Sequence, residues 1–93
     1  MDNLKKNLKA ATDAELVELI NSVNNELRNG RYRKVEVQRD VITVLSQRKP
    51  RVNAMTREVY QSFVFNVAGV ASKNQDVMKR VKNFAKDNGL SLA

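Results

Sequence analysis

At 93 residues the chain has the length of one domain, and without cysteine or histidine it lacks a disulfide framework, a thiolate metal site, a cysteine nucleophile and the usual general base. A formal net charge of +7 favours an anionic partner, nucleic acid before a membrane surface or an acidic protein; the plain alternative is a lysine-rich surface that keeps a small protein in solution. Met1 to Lys9 has no apolar h-region, and the longest apolar stretch, Phe63 to Ala71, is too short to span a bilayer and contains Asn66, so a cytoplasmic protein with no membrane contact is expected.

Taken in order, the segment 3–10 predicts a short basic helix with Leu4 and Leu8 one turn apart and Asp2 or Asn3 as its cap. Residues 1–11 read as a loosely docked arm. Thr12-Asp13-Ala14-Glu15 is a capping box, which opens a helix over 13–28. Leu16, Ile20, Val23 and Leu27 form its apolar seam, and Asn29-Gly30 ends it. The segment 33–48 admits two readings. Val35 and Val37 alternate as in a strand, yet a hairpin would need a strand before Asn29, where the best-capped helix lies. Val37, Val41, Ile42, Val44 and Leu45 share half a helix, so a helix ending before Pro50 is preferred.

The stretch 54–72 is predicted as the central helix, with Asn53 or Thr56 as its cap. Met55, Val59, Phe63, Val67 and Val70 lie on one side, and Tyr60, Val64, Ala68 and Ala71 widen that side beyond half the circumference. An arc that wide implies burial against more than one neighbour. Phe65 points to the opposite, polar side, and Asn66 at the arc's edge needs a hydrogen-bond partner if buried. Ser72-x-x-Gln75 reads as a second capping box before a helix over 74–87 with Val77, Met78, Val81, Phe84 and Ala85 inward. Asn88-Gly89-Leu90 reads as a Schellman ending, and 90–93 as a loose tail. The expected fold is one all-α domain, a bundle of four to five helices around 54–72.

The charge is concentrated. Residues 12–28 carry −3, residues 29–51 carry +5 and residues 73–93 carry +3, while 52–72 is neutral. Arg31, Arg33 and Lys34 precede the third helix, with Tyr32 among them as a candidate stacking residue, and Arg48, Lys49 and Arg51 follow it. They could meet phosphates or pair with the acidic second helix. On the last helix Lys79, Lys82 and Lys86 form a stripe opposite the core face, with Arg80 beside it. The plain reading of this stripe is a solvated face with cations near the negative end of the helix.

Val67 to Val81 does not keep the spacing of a helix-turn-helix. No phosphate-cradling glycine loop, metal-ligand spacing or paired-carboxylate site is visible, so no enzyme activity, cofactor, metal or small-molecule substrate is expected. The leading expectation is a basic, non-enzymatic, accessory or regulatory protein that binds DNA or RNA through these Lys and Arg clusters. The alternative is a self-associating interaction module that binds or inhibits a protein partner, as a homodimer or otherwise, with Phe65 as its contact.

Overall fold

The reciprocal bonds of Thr12 and Glu15 start the longest helix. The Glu15 N–H donates to the Thr12 hydroxyl at 3.2 Å, and the Thr12 N–H donates to the Glu15 carboxylate at 2.9 Å. The Thr12 backbone N–H first, and next the Thr12 hydroxyl, hold the Glu15 carboxyl below its ordinary range. Their stabilisation is present above that range and is lost as pH falls through the lowered value.

The computed structural model describes residues 4–92, so Asp2 and Asn3 as caps, and residue 93, lie outside it. Five helices form among the described residues, and no strand: α1 (Leu4–Ala10), α2 (Asp13–Arg28), α3 (Val35–Arg48), α4 (Arg57–Val70) and α5 (Gln75–Asp87). Neighbours pack in the order α2, α4, α5, α3, α1, so α4 is wedged between α2 and α5. Tyr60, Phe63, Val64 and Val67 of α4 are fully buried, along with Ile20 of α2, Ile42 and Leu45 of α3, and Val77 and Val81 of α5. α3 and α5 run in the same direction: Arg39 pairs with Asp76 at 3.6 Å, and one turn on Arg80 donates to the Thr43 hydroxyl at 3.4 Å.

Both glycine endings form. Gly30 (φ +89) follows α2, where the Arg31 N–H donates to the Glu26 carbonyl at 2.7 Å and the Gly30 N–H to that of Leu27 at 3.1 Å. Gly89 (φ +64) follows α5, where the Leu90 N–H donates to the Ala85 carbonyl at 2.8 Å and the Gly89 N–H to that of Lys86 at 3.4 Å. Each is the paired bond of a Schellman ending.

Several boundaries differ from the sequence expectation. α3 begins at Val35, two residues late, because Tyr32 is left-handed (φ +60) and Lys34 extended. α4 is shorter than 54–72. Residues 53–56 form a turn in which the Asn53 side-chain oxygen accepts from the N–H groups of Met55 and Thr56, and the helix starts after it with Thr56 as its N-cap. Met55 therefore escapes the helical register and is 91% exposed instead of buried. The Ser72-Gln75 capping box does not form. Asn74 caps α5 instead, its side chain accepting from the Val77 N–H at 3.0 Å, an offset of three residues that Ser72 would meet only with an earlier start.

The ends are held by long-range contacts. Leu8 is fully buried, which stabilises by about 1.5–3 kcal/mol, and a helix the length of α1 needs such docking. The segment 90–92, expected to be loose, lies against α4. The Ser91 N–H donates to the Gln61 side chain at 2.9 Å, the Ser91 carbonyl accepts from it at 2.5 Å, and Leu90 and Leu92 pack on the core. Arg57 adds a bond to the Gly89 carbonyl. Asn66 donates to the Asn24 side chain at 3.2 Å, and Asn24 to the Val59 carbonyl at 3.1 Å, so this polar pair inside the α2–α4 interface is satisfied.

Tyr60 is buried with no partner for its hydroxyl. Burial, and next the Asp13 charge, push this phenol up to about 12 despite Arg48. The unfolded chain then releases this proton first, so stability falls as pH rises from 10 toward 12. Tyr60→Phe should raise stability by about 1–2 kcal/mol in a urea melt, because it removes a desolvated hydroxyl, and should weaken the alkaline decline. A destabilised variant would show that the hydroxyl is hydrogen-bonded, for instance to an internal water.

Candidate functional site

The amphipathic register of α5 decides which cations face outward. Val77, Val81, Phe84 and Ala85 point to the core, and Lys79, Lys82 and Lys86 stand on the opposite, exposed side. Seven residues of helix separate the first and last, about 10 Å. Arg80 lies on the flank that faces α3. Its guanidinium bonds to Asp76 at 3.4 Å and to Thr43, so it is partly engaged within the fold.

A groove of about 510 Å³ separates this flank from the end of α3. Ser46, Lys49, Arg80, Asn83 and Asp87 are among its lining residues. Lys49 takes the left-handed conformation (φ +48) in front of Pro50, which ends α3 there. The groove brings Lys49, from the central basic segment, beside Arg80, from the C-terminal one, with Asp87 on the same wall. Ser46 and Asn83 were not among the expected site residues. Each sits on an exposed helix face, and only the pairing of α3 with α5 puts them in one groove.

The remaining expected residues separate into two places. At the α2–α3 corner Arg31 pairs with Glu26 at 3.3 Å, Arg33 donates to the Leu27 carbonyl at 3.4 Å, and Lys34 is exposed at the N-cap of α3. At the far end of α3, Arg48 turns inward. Its guanidinium donates to the Leu8 carbonyl at 2.7 Å and meets Asp13 at 3.4 Å, and its side chain is only 21% exposed. Arg51 is exposed in the linker after Pro50. Thus Arg31 and Arg48 both pair with carboxylates at the two ends of acidic α2. Among the described residues Lys34, Lys49, Arg51, Lys79, Lys82 and Lys86 belong to none of the ion pairs.

Phe65 stands outward on α4, 43% exposed. Among the described residues no group of carboxylates is placed to hold a metal ion, and no helix is long and apolar enough to cross a membrane. Comparison of the chain with protein-family models, with curated proteins and with solved structures returned no match.

Proposed function

We propose that this protein binds nucleic acid without catalysing a reaction, as an accessory or regulatory factor, through phosphate contacts made by the outer face of α5. The observation that carries the reading is the exposed stripe Lys79, Lys82 and Lys86, backed across the adjacent groove by Lys49. Exposed lysines in a row neutralise phosphates and release counterions, which supplies affinity without sequence readout. Lys34, Arg31 and Arg33 at the α2–α3 corner form a second basic place, about 20 Å away along α3.

The test is an anisotropy titration of labelled duplex and single-stranded oligonucleotides over a series of salt concentrations. Three or more phosphate contacts predict a plot of log affinity against log salt with a slope of about −3 or steeper on duplex. Absence of binding at low salt, or affinity indifferent to salt, refutes the reading.

Phe65 supports a second reading, a self-associating or partner-binding module, because a large apolar side chain stands exposed on the outer side of α4. Sedimentation of the purified protein over a range of concentrations separates the two, and Phe65→Ala should weaken association if this side chain anchors it.

A further inference from the structure

We infer that the concavity at the α2–α3 corner takes an unpaired nucleobase, with Tyr32 as the stacking surface and Arg31, Arg33 and Lys34 as contacts to its phosphates. The inference rests on the nucleic-acid reading above and narrows it, at this place, to single-stranded nucleic acid. The concavity has a volume of about 580 Å³ and is lined by Gly30, Arg31, Tyr32, Arg33, Lys34 and Val37. That volume accommodates a planar heterocycle.

Tyr32 is half-buried. It packs against the core cluster and also lines the concavity. Its backbone is left-handed (φ +60), a conformation that glycine or asparagine adopts more readily, so the turn itself does not call for an aromatic side chain. Non-glycine residues in such conformations concentrate where a site constrains them. The turn is braced from both sides. Gln38, fully buried on α3, donates its amide to the Tyr32 carbonyl. On the α2 side, Glu26 holds Arg31 and the Leu27 carbonyl holds Arg33. A base would therefore meet a tyrosine whose backbone is already fixed, which lowers the ordering cost of binding, with Arg33 and Lys34 beside it.

The chemistry distinguishes strand states. A base inside a duplex has its faces stacked on its neighbours, whereas an unpaired base offers a face to an aromatic ring, and such stacking is tolerant of sequence. The α5 stripe needs only phosphates and serves both strand states.

The test measures the full-length chain against one labelled oligodeoxynucleotide, single-stranded and annealed to its complement. Tyr32→Leu keeps the left-handed backbone cost and removes the ring. It should lower the ratio of single-strand to duplex affinity about tenfold, and Tyr32→Phe should restore it. A second measurement does not depend on the stability of Tyr32→Leu. In a Tyr60→Phe background Tyr32 is the one remaining tyrosine, and its fluorescence should be quenched on addition of the single strand and hardly on addition of the duplex. An unchanged ratio, or equal quenching by both strand states, overturns the inference while leaving the α5 reading intact. No binding of either oligonucleotide by the unaltered protein overturns both.

Discussion

Replacement of Lys79, Lys82 and Lys86 together by glutamate should abolish nucleic-acid binding at physiological salt while the helical content stays that of the parent. All three are exposed, and the core face of α5, formed by Val77, Val81, Phe84 and Ala85, is untouched. Three lost phosphate contacts should flatten the salt dependence by about three units of log–log slope. The introduced carboxylates add repulsion along a stripe of about 10 Å. A milder variant with glutamine at the same positions should bind weakly, with the flattened slope and without the repulsion. The slope and the affinity must change together. A variant that binds like the parent removes α5 as the interface, and the Arg31–Lys34 corner would then have to carry binding alone. Some loss of stability, about 0.3–1 kcal/mol, is expected from position 86, because a carboxylate in the last turn of a helix is unfavourable.

Arg48→Ala should do the reverse, with a large effect on stability and little on binding. The Arg48 guanidinium links the last turn of α3 to the Leu8 carbonyl at 2.7 Å and to Asp13 at 3.4 Å. Hydrogen bonds to charged groups stabilise by about 1.5–3 kcal/mol, and truncation also loosens the α1 docking that buries Leu8. A loss of about 2–3 kcal/mol is therefore expected from urea denaturation. Arg48→Lys should recover only part of it, since one nitrogen replaces the two that separately meet the Leu8 carbonyl and the Asp13 carboxylate. Below the melting transition, oligonucleotide affinity should stay close to that of the parent. A variant of parental stability with lost affinity would return Arg48 to the binding surface.

Much of the architecture was legible because it is written in local terms. The Thr12–Glu15 box, the glycine endings at Gly30 and Gly89 and the inward faces of α2, α3 and α5 depend on residues within a turn or two of each other. Periodicity also placed Phe65 outward and the lysine stripe of α5 opposite the core. Periodicity failed where the chain leaves the helix. Met55 was read in a register that begins two residues after it, and Ser72 lost the cap to Asn74 because the helix starts later than the motif required. Segment charge did not separate the residues around α3, since equal formal charges at Arg48 and Lys49 have different surroundings: one is turned inward onto α1 and α2, and the other lines an open groove.

By itself, then, the sequence determined the all-helical class, most helix limits to within a few residues, the buried stripes and the location of the charge along the chain. The tertiary structure alone decided which cations pair with Glu26, Asp13 and Asp76, that Lys49 and Arg80 share a groove, that Asn24 and Asn66 satisfy each other, and that residues 90–92 dock on α4. The reason is separation along the chain: caps and periodic faces are set by neighbours in sequence, whereas an ion pair between residues 13 and 48, or a hydrogen bond between 61 and 91, exists only after the helices have packed.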